Sequence, residues 1–98
     1  MIAGRNAVIT GSTSGIGRGI ALKLAAEGAR VMINGFGDQA DIQNLLKELE
    51  DLSGKKPIYS DADMSDPAQI EAMMKLAESE LGGVDIMMNN AGIQFVSP

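Results

Sequence analysis

Short apolar runs alternate with longer stretches of helical periodicity along this chain. The apolar runs lie at residues 7–10, 30–34, 57–60 and 84–88, with glycine or polar residues close to their ends. Runs of this kind predict strands that are buried on both faces. The three stretches between them carry apolar residues three and four positions apart, which predicts amphipathic helices. The chain is therefore expected to form seven elements in the order βαβαβαβ.

The helices have recognisable ends and predicted buried faces. Asp38 and Asp66 are the expected N-caps of the second and third helices. In the third helix Pro67 fits the first helical position, and Gln69 completes a capping-box pattern with Asp66. Gly28 stands where the first helix should end. The residues expected to face the core are, for the three helices in turn, Ile16, Ile20, Ala21, Leu24 and Ala25; Ile42, Leu45, Leu46, Leu49 and Leu52; and Ile70, Met73, Met74, Ala77 and Leu81.

This alternation predicts an α/β fold whose parallel sheet is covered on both sides by helices. Right-handed crossovers, with a switch of direction after the third strand, give the strand order 3-2-1-4 of a doubly wound, Rossmann-like sheet. Residues 1–98 are expected to be the dinucleotide-binding part of a single domain. The sheet is expected to be incomplete on its C-terminal side, because residues 84–88 would leave an apolar strand at an edge.

Composition and charge narrow the chemistry. The chain has no cysteine and no histidine, which excludes thiolate chemistry, disulfides and the commonest general base. The net charge of −5 argues against a nucleic-acid partner. Residues 1–37 carry four basic residues against Glu27 alone, which indicates either chance solvation of helix faces or room for an anion. There is neither a membrane-spanning run nor a signal-peptide pattern, so we expect a cytoplasmic protein without a membrane partner.

The segment TGSTSGIG at residues 10–17 follows the first strand and opens the first helix. Gly11 would allow the tight exit from the strand, Gly15 the approach of a phosphate, and Gly17 close packing of helix on strand. Helix N-terminal N–H groups attract anions, and residues 12–14 would add hydroxyl donors. A ligand-free surface loop is the alternative, but the strand-turn-helix context favours a pyrophosphate site.

Polar residues also follow the other strands. The second strand ends in Asn34 and Phe36 rather than in the acid that binds ribose in most dinucleotide folds. Asn34 could bond the ribose, and Phe36 could pack on the adenosine. Arg18 is the one cation placed to meet a 2′-phosphate, whereas Asp38 would repel it, so the residues favour NAD over NADP.

Three acids at residues 61, 63 and 66 follow the third strand and raise the alternative of a metal site. The glycine and terminal glutamate of a calcium loop are absent from this segment. We therefore predict no metal site. The segment NNAG at residues 89–92 follows the fourth strand, at the edge of the sheet where ligands bind in such folds.

The two motifs TGSTSGIG and NNAG together resemble the short-chain dehydrogenase/reductase family. The resemblance runs over the whole chain, which corresponds to the N-terminal part of a family member. The resemblance implies an NAD site in which Asp63 and Met64 hold the adenine, and it implies a homo-oligomer, a tetramer. The implied cofactor-binding residues are Gly11, Thr13, Ser14, Gly15, Ile16, Gly17, Phe36, Asp63, Met64, Asn90, Ala91 and Gly92.

Within the family, NGFGD at residues 34–38, DMSDP at 63–67 and AGIQ at 91–94 look like the bacterial D-3-hydroxybutyrate dehydrogenases. This implies a short hydroxy acid as substrate, interconverted with acetoacetate, and a contact between Gln94 and its carboxylate. An exposed loop glutamine is the alternative for Gln94, and another carbonyl substrate is the alternative for the reaction.

The family's catalytic asparagine, serine and Tyr-x-x-x-Lys pair match no position of this chain. Tyr59 is the only tyrosine, and the residue four positions later is Asp63. Catalysis is therefore not expected from these 98 residues alone. Two hypotheses follow: a segment of an NAD-dependent dehydrogenase, or a short, non-catalytic dinucleotide-binding module.

Overall fold

The computed structural model describes residues 2–90. Its strands are β1 (Asn6–Ile9), β2 (Arg30–Asn34), β3 (Ile58–Ser60) and β4 (Ile86–Met88), and its helices are α1 (Gly15–Ala26), α2 (Gln39–Ser53) and α3 (Pro67–Leu81). The strands are parallel and lie in the order β3-β2-β1-β4. The predicted βαβαβαβ order and the doubly wound, Rossmann-like sheet are both confirmed.

The two faces of the sheet carry separate layers of apolar side chains. The layer under α1 and α2 includes Ala7, Ile9, Val31, Ile33, Ala21, Ala25, Ile42, Leu45 and Leu49. The layer under α3 is formed by Val8, Met32, Ala62, Met73, Ala77 and Leu81. Successive side chains of a strand point to opposite faces of the sheet. The central strands β1 and β2 are apolar on both faces for this reason.

The buried face of α1 agrees with the prediction only in part. Its buried residues are Gly17, Ala21 and Ala25. Ile16 is 77% exposed, and Ile20 and Leu24 are only partly buried. Ala21 and Ala25 are buried as predicted, Ile20 and Leu24 pack at the margin of the core, and Gly17 is buried where Ile16 was expected. The cause is close packing, because a Cβ atom at Gly17 would overlap the carbonyl oxygen of Gly11. Only the small residues of α1 can face the sheet this closely.

The predicted N-caps of α2 and α3 are confirmed. The Asp38 carboxylate accepts from the Asp41 N–H at 3.3 Å, and that of Asp66 accepts from the Ala68 N–H at 3.0 Å. Pro67 occupies the start of α3, as expected. The helices have 12, 15 and 15 residues, and none in the described range is long and apolar enough to cross a membrane.

Two details of these helices differ from the prediction. Gln69 does not complete the capping box, because the Asp66 N–H donates to the Asp63 carbonyl oxygen at 3.0 Å. Leu52 is 44% exposed, so the buried stripe of α2 ends at Leu49. In both cases the residue lies at the predicted position along the helix, but its side chain does not make the predicted contact.

Candidate functional site

A cleft of about 550 Å³ opens at the carboxyl edge of the sheet, where the loops after β1, β2 and β3 meet the residues after β4. Among the residues predicted to bind cofactor, those that line it are Gly11, Thr13, Ser14, Phe36, Asp63, Met64 and Asn90. Gly15, Ile16 and Gly17 lie beside it at the start of α1. Ala91, Gly92 and Gln94 lie outside the described residues.

The glycine-rich turn has the backbone that its sequence requires. Gly11 and Gly15 both have φ of +61°, in the left-handed region that favours glycine. Asn90 lies closely against the turn, since the Asn90 amide donates to the Gly11 carbonyl oxygen at 3.1 Å. The Thr10 hydroxyl reaches the side-chain oxygen of Asn89 at 3.2 Å. The exit of β4 is thus bonded directly to the glycine-rich turn.

The N-terminus of α1 is open to an anion. Ser14 is its N-cap residue but makes no side-chain capping hydrogen bond, and the first turn contains no acid. Asp38 and Asp66, by contrast, cap α2 and α3. The first N–H groups of a helix have no partner within it and lie at the positive end of its dipole. Backbone donors are therefore available at α1 for a phosphate.

The hydroxyl groups of the turn are not equivalent donors. The Ser12 hydroxyl is fully buried, donates to the Ile9 carbonyl oxygen at 2.6 Å and accepts from the Asn34 N–H. The Thr13 hydroxyl donates to the Phe36 carbonyl oxygen at 2.7 Å. Ser14 alone of the three has a hydroxyl outside these bonds, whereas the Ser12 and Thr13 hydroxyl hydrogens are donated within the protein.

Asn34 holds the ends of three strands together. Its side chain is buried, with its oxygen accepting from the Gly11 N–H at 3.2 Å. Its amide nitrogen donates to the carbonyl oxygens of Ser60 at 3.1 Å and Ala62 at 3.0 Å. Both amide hydrogens are used in this way, so the interpretation of Asn34 as a ribose ligand is wrong. An isolated amide that ends an otherwise apolar, buried strand is the sequence signal for this role.

The loop after β2 forms one wall of the cleft. Phe36 is 66% exposed there, an unusual position for a large apolar ring. Gly35 has φ of +145°, and a Cβ atom on it would lie 2.6 Å from the Thr13 hydroxyl oxygen. The Gly35 carbonyl oxygen accepts from the Tyr59 hydroxyl at 2.6 Å. Burial, with a smaller contribution from Asp61, raises the pKa of Tyr59, so this hydroxyl stays a donor.

Asp63, in the loop after β3, also lines the cleft. One of its oxygens accepts from both the N–H and the hydroxyl of Ser65, at 2.9 and 2.7 Å. The hydroxyl bond, and then the backbone bond, hold the pKa of Asp63 below its ordinary value of 3.8. Asp63 is therefore an ionised acceptor near neutral pH. Within the described chain no hydrogen bond occupies its second oxygen.

Replacing Ser65 with alanine is expected to raise the pKa of Asp63 toward its ordinary value, because the hydroxyl bond is the larger cause of its depression. A depressed pKa stabilises the folded state above the ordinary value, and this stabilisation is lost as the pH falls through the folded value. Titration of the Asp63 carboxyl carbon by NMR measures the change. Ser79→Ala, on α3, is the control. An unmoved Asp63 pKa in Ser65→Ala contradicts this assignment.

A second hollow, of about 390 Å³, lies between α1 and α2 beside Gly15. Arg18 of α1 lines it and pairs with Glu48 of α2 at 3.4 Å, and Asp41 of α2 lines it as well. The cation that could meet a 2′-phosphate is thus already paired, in a hollow that a second carboxylate also lines. Among residues 2–90 no group of three acidic side chains could hold a metal ion.

Comparison with known proteins gives matches along almost the whole chain. Residues 5–98 match the family described as short chain dehydrogenase. The chain is 50% identical over 97 residues to D-beta-hydroxybutyrate dehydrogenase of Cupriavidus necator, covering 99% of this chain and 37% of that protein. It is 47% identical over 92 residues to the protein of the same description from Rhizobium meliloti, covering 94% and 36%. The chain therefore spans little more than a third of these relatives.

Solved structures of similar fold include a short-chain dehydrogenase/reductase and two nicotinamide-dependent reductases. A protein from Sinorhizobium meliloti 1021, assigned to the short-chain dehydrogenases/reductases, superposes with a TM-score of 0.84 at 36% identity over 98% of this chain and 44% of its own. An NADH-dependent reductase in complex with NAD gives a TM-score of 0.80 at 33% identity, over 90% of this chain and 36% of its own. L-Sorbose reductase of Gluconobacter frateurii, in complex with NADPH and L-sorbose, gives 0.77 at 32% identity, over 87% and 32%.

Proposed function

The chain belongs to the short-chain dehydrogenase family, and we propose that its cleft binds NAD as the hydride carrier of an oxidoreductase. The observation that carries this proposal is the uncapped N-terminus of α1, beside the same cleft as Asp63. The N-terminus of α1 would bind the pyrophosphate, and Asp63 would accept a hydrogen bond from the adenine amino group. Members of the family and its structural neighbours use nicotinamide dinucleotides of both kinds.

The proposed contacts follow the order of the strands. Residues 11–17 would hold the pyrophosphate through backbone N–H groups and the Ser14 hydroxyl. Phe36 would cover the adenosine from the loop after β2, and Asp63 and Met64 would hold the adenine from the loop after β3. Asn90, with Ala91 and Gly92, would line the nicotinamide ribose after β4. A nicotinamide bound in this way supplies the hydride acceptor.

NADH is expected to bind this chain about tenfold more tightly than NADPH, a difference of about 1.4 kcal/mol. A 2′-phosphate would meet Asp41 and a paired Arg18 in the hollow beside Gly15, where negative charge repels it and no free cation compensates. Titration of nucleotide fluorescence with the full-length protein gives both dissociation constants. Tighter binding of NADPH would overturn the preference for NAD.

For the protein that carries this chain we propose the interconversion of D-3-hydroxybutyrate and acetoacetate. The support is identity of 50% and 47% to two D-beta-hydroxybutyrate dehydrogenases over nearly all of the chain. In the oxidation, hydride leaves carbon 3 for the nicotinamide and the hydroxyl proton is released, giving acetoacetate. Gln94 would contact the substrate carboxylate. A cytoplasmic homo-oligomer, a tetramer, is part of the same proposal.

The full-length protein tests the reaction. NADH formation with D-3-hydroxybutyrate, and not with its L enantiomer, is the expected result. Activity only on other hydroxy compounds would contradict the proposed substrate. The family assignment and the proposed NAD site would still stand. NADH binding without any turnover by the full-length protein would favour the non-catalytic binding module, which is the second candidate.

A further inference from the structure

Gln69, on the first turn of α3, bonds to the cleft from outside it. Its side-chain oxygen accepts from the Asp63 N–H at 2.9 Å, and its nitrogen donates to the Asp66 carboxylate at 3.0 Å. The other Asp66 oxygen caps α3 through the Ala68 N–H at 3.0 Å. Gln69 itself does not line the cleft; it lies on a groove beside α3. Its amide therefore links the backbone of a cleft residue to the fixed end of a helix.

The orientation of the Gln69 amide is determined by its partners. With the amide reversed, its nitrogen would face the Asp63 N–H and its oxygen would face the Asp66 carboxylate. Both of those contacts pair like with like, donor with donor and acceptor with acceptor. Only the observed orientation satisfies both ends, so the charge on Asp66 keeps the Gln69 oxygen directed at Asp63.

We propose that Gln69 is a positioning residue that sets the selectivity of the cleft for adenine. This inference rests on the proposed function, in which the adenine amino group donates to Asp63. Ser65 fixes one Asp63 oxygen, and Gln69 fixes the Asp63 N–H. The second carboxylate oxygen is then held at one place, where it accepts from an amino group and repels a carbonyl oxygen in the same position.

The test compares NADH with its deamino analogue, in which a carbonyl oxygen replaces the adenine amino group. The full-length protein is expected to favour NADH about tenfold, the effect of one charge-assisted hydrogen bond. Gln69→Ala is expected to reduce this ratio of dissociation constants by about threefold or more, mainly by weakening NADH binding. A merely structural role would weaken both nucleotides together and leave the ratio unchanged.

Asp66→Asn gives a second route to the same loss. An asparagine keeps an oxygen for the Ala68 N–H, but its nitrogen faces Gln69 and makes the Gln69 amide turn away from its observed orientation. The helix cap is then kept while the Asp63 N–H loses its acceptor. The preference for NADH over its deamino analogue should therefore fall again. Gln43→Ala, an exposed glutamine on α2, is the matched control and should leave the ratio as it is.

A lower ratio in both Gln69→Ala and Asp66→Asn, with the control unchanged, supports the inference. An unchanged ratio in Gln69→Ala, with NADH still bound and the variant folded by circular dichroism, overturns the inference and leaves the proposed function in place. If Gln69→Ala does not fold, the Asp66→Asn ratio decides. If the unaltered chain binds neither nucleotide, the proposed function fails and the inference falls with it.

Discussion

Gly17→Ala is expected to lower the affinity for NADH by at least about tenfold and to destabilise the fold by about 2 kcal/mol. A Cβ atom at this position would overlap the Gly11 carbonyl oxygen and lie 2.8 Å from the Asn90 amide nitrogen. The overlapped atom belongs to the backbone, so the start of α1 must move away from β1. That movement displaces the N–H groups proposed to bind the pyrophosphate, so affinity and stability should fall together.

Gly19→Ala is the matched control for this prediction. Gly19 lies two residues further along α1 and is exposed, and a Cβ atom there would meet nothing within 4 Å. Alanine is favoured over glycine inside a helix by about 1 kcal/mol, so this variant should be slightly more stable and bind NADH normally. Urea unfolding and NADH titration measure both variants. Equal behaviour of Gly17→Ala and Gly19→Ala would contradict the close-packing argument.

Asn34→Asp is expected to destabilise the chain by about 3 kcal/mol at neutral pH. The change replaces an amide that donates to the Ser60 and Ala62 carbonyl oxygens with a buried carboxylate that repels them. Burial and these oxygens would raise the pKa of the new carboxyl group. Its neutral form is then favoured in the folded state, so the variant should be least impaired below about pH 4 and lose stability as the pH rises.

Asn44→Asp, at an exposed position of α2, is the control for the same chemical change without burial. Its free energy of unfolding should stay within about 0.5 kcal/mol of the parent value. Denaturant unfolding of both variants at acidic and neutral pH separates a buried effect from a general charge effect. A pH-independent loss in Asn34→Asp would contradict the described hydrogen bonding.

The order of the elements could be predicted because the local signals agree with the global fold. The strands β1 and β2 are apolar at successive positions, and Asp66 with Pro67 marks the start of α3. The face of α1 could be predicted only in part, because Ile16 and Gly17 each begin a series with helical spacing. Ala21 and Ala25 of the second series were expected in the core, but Gly17 was not. The choice between those two series depends on the approach of α1 to the Gly11 carbonyl oxygen, a contact outside the helix.

The contacts of the cleft residues could likewise be predicted only in part. The glycines of the turn, Phe36 and Asp63 could be predicted as neighbours because parallel strands bring their carboxyl ends to one edge. The partners of Asn34 could not, since Ser60 lies 26 residues away and is met through its backbone. Gln69 was expected to accept from the N–H of its N-cap residue, but the Asp63 carbonyl oxygen takes the Asp66 N–H, and Gln69 bonds the Asp66 carboxylate instead. Spacing identifies a side chain's neighbours along one element, not across loops.

The bond from Asn90 to Gly11 joins residues 79 positions apart, and this separation has a consequence for the order of folding. Contacts between distant residues form late, after the entropy of closing the intervening chain has been lost. Asn34 likewise bonds the turn only when β1, β2 and β3 lie side by side. The glycine-rich turn should therefore reach its final shape among the last events of folding. A nucleotide would then distinguish a fully assembled chain from a nearly assembled one, and it would stabilise only the former.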